Sequence, residues 1–196
     1  SYELALYTEM GFGANITSTT FDAETKSGTI IFDGDVTRIP TMAFKNCLTL
    51  KTITLPGSIT KIEDEAFYGC KGLTTIDIPN TVLSIGISAF FDCTALKSAN
   101  LGTGVTTIGN MAFKSCSALE SITIPESVTT LGYQVFMDCD GLTAFYGKFS
   151  SNDKRCLIVN GSLEYFAPAG VTEYTTPAAA TSIQDYAFYD YNELTT

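Results

Sequence analysis

The chain has 196 residues, 45% apolar and 16% charged, a balance that excludes a disordered segment. Its net charge is −10 and its eleven Lys and Arg residues are scattered, so no basic stripe exists to neutralise phosphates, and nucleic acid is excluded as a partner. No apolar run approaches the roughly 18 residues of a membrane-spanning helix, and the absence of histidine removes His-based triads, general bases and metal ligands together.

Residues 1–26 carry no periodic pattern. They begin at Ser1 with neither an initiator Met nor the apolar core of a signal peptide, as expected of a mature or trimmed chain. Tyr2, Leu4, Leu6 and Tyr7 are apolar enough to cover the end of a repeat array. The segment is therefore expected to be an N-terminal cap, with the remnant of an upstream domain as the alternative.

At residue 27 a regular beat sets in. Ala43-Phe44, Ala66-Phe67, Ala89-Phe90 and Ala112-Phe113 recur every 23 residues, and Val135-Phe136 keeps the spacing. Cys47, Cys70, Cys93, Cys116 and Cys139 each follow three residues after the Phe. A repeat of this length is the signature of a solenoid, in which each coil contacts only its neighbours. Residues 27–141 divide into five such units, starting at Ser27, Leu50, Leu73, Leu96 and Leu119.

Numbered from its first residue, a unit is apolar at positions 1, 4, 6, 10, 13, 17, 18 and 21. Positions 4 and 6 alternate as in a strand, and Pro56, Pro79 and Pro125 end that strand because proline cannot donate to a ladder. Val105–Ile108 and Val128–Leu131 predict a second short strand, after which Gly86, Gly109 and Gly132 are expected to turn the chain. Positions 15 to 21 place apolar residues at i, i+1 and i+4, which predicts a single helical or 3₁₀ turn. The expected fold class is an α/β repeat solenoid of 23-residue coils, with a parallel β-sheet, short helical or 3₁₀ turns, and a Phe filling each coil.

Residues 142–170 form a longer unit of 29 residues. Cys156–Val159 and Ser162–Phe166 flank Asn160-Gly161, the favoured two-residue turn, so a β-hairpin is expected. It either projects as a binding edge or adapts the coil geometry before the pattern resumes at Val171. Residues 171–196 are the final repeat, and the chain stops at Leu194-Thr195-Thr196, a few residues into what would be another unit.

Six cysteines invite a disulfide or zinc reading. Five share one phase of successive coils, where stacked neighbours sit about 4.8 Å apart with parallel Cβ vectors. A disulfide needs Cβ atoms about 3.8 Å apart and aimed at each other. A buried thiol ladder is expected, and Tyr191 in the same place of the last unit agrees with it. Cys156 is off-phase but lies in an apolar strand. The chain has no Cys-x-x-Cys, so zinc is not expected. Asp33/Asp35, Glu63-Asp64-Glu65 and Asp138/Asp140 lack the ligand density of a calcium loop and read as solvated edges. Nothing places two carboxylates across an aromatic cleft for glycoside cleavage. Catalytic residues, metal and cofactor are all expected to be absent.

The x-x-Ala-Phe-x-x-Cys signature, next to Leu-x-x-Ile-x-Ile-Pro-x-Ser-Val-Thr-x-Ile-Gly, resembles the BspA-like leucine-rich repeats, also called the Treponema pallidum-type class. The resemblance covers Ser27 to Gly141 and resumes at Val171. It implies a leucine-rich repeat solenoid on a surface-exposed or secreted protein. Several members adhere to host matrix and plasma proteins, which implies a non-enzymatic adhesion module. Its partner would be a host or bacterial surface protein such as fibronectin or fibrinogen. The segment Phe145 to Gly170 is similar to an interruption common in gut Bacteroidetes members, which implies a commensal bacterial source.

In the leading strand, positions 3 and 5 point away from the core. They give Thr52 and Thr54, Thr75 and Asp77, Ser98 and Asn100, Ser121 and Thr123, and Ala144 and Tyr146. This candidate binding surface is small and hydroxyl-rich. Protein hot spots favour Trp, Tyr and Arg, a description that only Tyr146 fits, so Tyr165, Phe166 and Tyr174 near the hairpin complete the candidate set. A monomer is expected. A structural spacer or a carbohydrate-contacting domain of a larger surface protein fits so plain a face equally well.

Overall fold

The structure, a computed structural model, describes residues 11–22, 27–189 and 191. The proposed cap residues Tyr2, Leu4, Leu6 and Tyr7 lie outside the described residues. In chain order the strands are β1 (Ile16–Asp22), β2 (Ser27–Phe32), β3 (Arg38–Ile39), β4 (Lys61–Ile62), β5 (Thr75–Asp77), β6 (Ser84–Ile85) and β7 (Ser98–Asn100). There follow β8 (Thr107–Ile108), β9 (Ser121–Ile124), β10 (Thr130–Leu131), β11 (Ala144–Gly147), β12 (Cys156–Val159), β13 (Ser162–Phe166) and β14 (Ser182–Ile183).

The coils stack as a β-solenoid. Strands β10, β8, β6, β4 and β3 form one parallel sheet, in which Lys61 pairs with Ser84 and Ser84 with Thr107, each one coil of 23 residues away. The leading arms pair in the same sense, β5 with β7 and β9 with β11. Two-residue strands suffice because their alternation puts one residue outward and one inward: Ile39, Ile62, Ile85 and Ile108 are all buried. At the N-terminal side, β1 pairs antiparallel with β2, and Phe12 is buried with its ring 5.1 Å from that of Phe32.

The helical or 3₁₀ turn expected at positions 15 to 21 is absent among the described residues, and the fold is all-β rather than α/β. Two features prevent a helix. Positions 16 and 20 of each regular coil have positive φ, as at Ser88 (53°) and Asp92 (57°) or Met111 (56°) and Ser115 (61°), whereas a helix needs about −63° throughout. Backbone donors also alternate in target. Ser88, Phe90 and Asp92 donate to Asn110, Ala112 and Lys114 of the next coil, while Ala89, Phe91 and Cys93 bend back to Gly86, Ser88 and Phe90. The segment is a stack of tight turns bonded coil to coil. The apolar i, i+1, i+4 spacing mimics a helix because a doubly bent arm also returns those side chains to one side.

The glycines at position 14 have a different role from the expected turn. None of Gly86, Gly109 and Gly132 has positive φ. A Cβ on Gly109 would lie 2.7 Å from the carbonyl carbon of Gly86 and 2.8 Å from the Ile87 nitrogen, and Gly132 meets the Gly109–Asn110 backbone in the same way. Glycine is required there because successive backbones touch.

The core follows the beat. The rings of Phe44, Phe67, Phe90 and Phe113 stack face to face at 5.1 Å with interplanar angles of 3–8°. Each buried ring is worth roughly 1.5–3 kcal/mol. All six cysteines are free. The thiols of Cys70, Cys93, Cys116 and Cys139 each donate to the carbonyl of the Phe one coil back, at 3.0–3.2 Å. The ladder is thus hydrogen-bonded as well as hydrophobic, and burial pushes the Cys70 thiol up to about 12.

The stack ends at Phe136, which Phe145 and Tyr165 meet edge-on at 5.6 and 5.4 Å. Beyond it, β12 and β13 form an antiparallel hairpin around Asn160-Gly161, both with positive φ. Strand β14 of the last unit pairs with β13, leaving β10 as the outer strand of its sheet. The hairpin therefore separates the last unit from the regular coils. A second small core forms there from Cys156, Leu163 and Ala187, with Tyr174 and Phe188 against it.

Candidate interaction surface

The leading arms carry the row of outward side chains. Register places Thr75 beside Ser98, Asp77 beside Asn100, Ser121 beside Ala144 and Thr123 beside Tyr146. Asp77, Asn100 and Thr123 are exposed, as are Thr75 and Tyr146, whereas Ser98 and Ser121 are half-buried and Ala144 is buried. Thr52 and Thr54 are exposed on the preceding coil, whose leading arm forms no strand. Asn100 Nδ2 donates to Asp77 Oδ1, so the row is partly tied to itself. It is a polar strip of short side chains that ends at Tyr146.

Two further members of the candidate set, Tyr165 and Tyr174, lie outside this row and are held by hydrogen bonds within the protein. Tyr165 is 8% exposed. Its hydroxyl donates to Gly132 O at 2.6 Å and accepts from the Val135 N–H at 3.1 Å. In other coils the equivalent N–H bends back directly, as Ala112 does to Gly109 at 3.3 Å, so Tyr165 is inserted into a turn of the last regular coil. Tyr174 is half-buried. Its hydroxyl proton goes to Asp153 Oδ2 at 2.9 Å, so the Cys156 thiol 3.2 Å away must donate to it. Burial raises Tyr174, and the hydrogen bond it donates to the Asp153 carboxylate raises it further. Burial pushes Asp153 up too, but hydrogen bonds from Ser151, Arg155 and Tyr174 outweigh this and hold it below the usual carboxylate range. Both tyrosines thus stabilise the hairpin from inside, as Phe166 does among Tyr174, Phe188 and Tyr191.

Besides Tyr146, three aromatic side chains among the described residues are well exposed. Tyr133, Tyr186 and Tyr189 are 48–51% exposed, and their rings form a chain of edge contacts at 6.1 and 5.4 Å. Tyr133 and Tyr186 border a cleft between the last regular coil and the last unit, lined by Gln134, Met137, Glu164, Gln184 and Asp185. Sequence reading passed over them although the signal was available. Position 15, occupied by Asp64, Ile87, Asn110, Tyr133 and Asp185, is exposed in every one of these coils. Among the described residues no group of His, Cys, Asp and Glu is arranged to hold a metal ion. No helix there is long and apolar enough to cross a membrane.

The BspA type leucine rich repeat region matches residues 14–143 in six copies. A comparison with curated proteins finds no match. Among solved structures, a leucine rich cell surface protein from Faecalibacterium prausnitzii is similar with 28% identity and a TM-score of 0.71, over 78% of this chain and 42% of that one. A leucine-rich repeat protein from Bacteroides ovatus has 24% identity and a TM-score of 0.61, over 92% and 62%. The pneumococcal vaccine antigen PcpA has 24% identity and a TM-score of 0.59, over 78% and 48%. The chain thus spans less than two thirds of the length of each of these. With six in-register copies over most of its length, the chain belongs to the BspA-type leucine-rich repeat family.

Proposed function

We propose that the chain is a non-enzymatic protein-interaction module of a cell-surface or secreted protein, adhering to host matrix or plasma proteins of the fibronectin or fibrinogen kind. The observation that carries this reading is the in-register outward row, from Thr75 and Asp77 to Thr123 and Tyr146, held at constant spacing by the coils. Such a row suits a long, shallow protein surface better than a small molecule. The similarity to a bacterial protein described as a cell surface protein supports the location. Tyr146 is its one large exposed side chain and is assigned as the anchor. The test is binding to a panel of immobilised matrix and plasma proteins. Saturable binding that Tyr146→Ala weakens about tenfold or more supports the reading, and no binding across the panel rejects it. A glycan array separates the carbohydrate-contacting alternative, and a blank array with a blank panel leaves a spacer.

A further inference from the structure

We propose that an arginine-bearing segment of a partner protein binds at the mouth of the cleft where the solenoid is interrupted, against the rings of Tyr133 and Tyr186 and the carboxylates of Glu164 and Asp185. This deepens the reading above and rests on it. Three observations meet at this place. First, the regular array opens here. Met111, Phe113 and Ser115 donate across to Tyr133, Val135 and Met137, but their counterparts Gln134, Phe136 and Asp138 make no such bond to a described residue. The last unit has been carried away on β13, and a cleft remains. Second, the three tyrosines present about half of their surface to solvent while touching one another. Third, neither Glu164 nor Asp185 has a cation within 4 Å among the described residues, unlike Glu63, Glu65, Asp92 and Asp138. Asp185 lies close enough to Tyr133 to push its hydroxyl upward, after burial and Tyr186.

Unpaired carboxylates beside aromatic faces, on a chain of net charge −10, are complementary to a guanidinium. Its plane can stack on a tyrosine ring while its fork engages a carboxylate. The chain uses the same chemistry internally, where Lys45 lies 4.7 Å from the Tyr68 ring centroid and is ion-paired to Glu65.

The experiment is a nitrogen-15 NMR titration of the whole chain with the capped peptide Gly-Arg-Gly-Arg-Gly. Saturable shifts confined to residues 133–137, 164 and 184–189 are expected, about tenfold weaker binding in Tyr186→Ala, and a similar loss in Asp185→Asn with Glu164→Gln. The carboxylate variant leaves the rings in place and so covers a Tyr186→Ala chain that fails to fold. Shifts scattered over all acidic surfaces and unchanged in the variants overturn the proposal, as does saturation of the same residues by a neutral oligosaccharide but not by the peptide. Running the variants on the protein panel separates the two readings. Wild-type-like binding by the carboxylate variant overturns the cleft and leaves the adhesion module standing. A blank panel with localised peptide shifts rejects the module and supports the cleft.

Discussion

Raising the pH from 8 to 10 should remove much of the stability of this fold, through the thiol ladder. Cys70, Cys93, Cys116 and Cys139 are fully buried and each donates its only proton to a Phe carbonyl. Burial is the chief cause that raises all four above the ordinary 9.0, to about 12 for Cys70 and likewise well above the ordinary value for Cys93, Cys116 and Cys139. The sign follows from proton counting. In the unfolded chain these thiols ionise near 9.0, while in the folded chain they stay neutral through pH 10. Above pH 9 the unfolded state therefore binds fewer protons, and stability falls as pH rises; below it the contribution is intact. At pH 10, one unit above the unfolded value, each thiol weakens the fold by about 1.4 kcal/mol and the four together by about 5–6 kcal/mol. The thiols dominate this window, because carboxylates finish titrating below it and each buried tyrosine, ionising near 10.0 when unfolded, adds only about 0.4 kcal/mol at pH 10. The assay is urea unfolding followed by circular dichroism at pH 7, 8, 9 and 10 with a reductant present. Cys93→Ala should lower stability at pH 8 yet lose about 1.4 kcal/mol less between pH 8 and 10. A wild-type loss under about 2 kcal/mol, or an unchanged loss in Cys93→Ala, would refute buried neutral thiol donors.

Three stability predictions accompany it. Tyr165→Phe should cost less than about 1 kcal/mol, because the Val135 N–H can regain the direct bond to Gly132 O that other coils make, whereas Tyr165→Ala should cost about 3–5 kcal/mol by opening a cavity beside Phe136; equal losses in urea titrations would contradict the insertion. Gly109→Ala should destabilise by about 1–3 kcal/mol, since the added methyl meets immobile backbone of Gly86 and Ile87, and a thermal midpoint equal to wild type would show that the coils can separate. Phe90→Ala should cost about 3–5 kcal/mol, as the ring is fully buried between two others, with the denaturation midpoint as the readout.

The repeat length, the inward residues and the stacked phenylalanines were legible because a 23-residue beat repeats one set of constraints five times. The errors arose where one pattern has two physical causes. An apolar i, i+1, i+4 spacing describes a helical turn and a doubly bent β-arm alike, and the positive φ values that decide between them fall on Ser, Asp, Met, Glu and Gln as readily as on Gly69. Glycine at position 14 was legible as required, but not why, because the clash that excludes a Cβ comes from the neighbouring coil. Tyr165 looked like a surface anchor for a related reason. Its partners, Gly132 and Val135, are 33 and 30 residues away, and nothing local signals that a hydroxyl will be inserted between them.

The interruption is best understood as a problem of unmatched backbone. In the regular coils backbone satisfies backbone: the strand arm donates to the preceding coil, as Gly109 does to Ile85, and the turn arm to the following one. When the array stops at residue 141, carbonyls are left on one side and N–H groups on the other. Side chains of the next segment take over. Lys148 Nζ donates to Val128 O and Glu126 O, where Ser58 and Ser127 serve Val36 and Val105 in other coils. Tyr165 occupies the Gly132–Val135 turn, and the Tyr191 hydroxyl donates to Phe166 O much as each ladder thiol serves the Phe a coil back. On the regular coils single outward side chains supplement this framework, as Asp64 and Asn110 do by accepting the N–H of Ile87 and Tyr133 in the next coil. In the interruption, framework and surface are built from the same few side chains, so the geometry that seals the coils also fixes where Tyr133 and Tyr186 stand. A rigidly placed aromatic surface of that kind binds at lower entropic cost than a mobile loop.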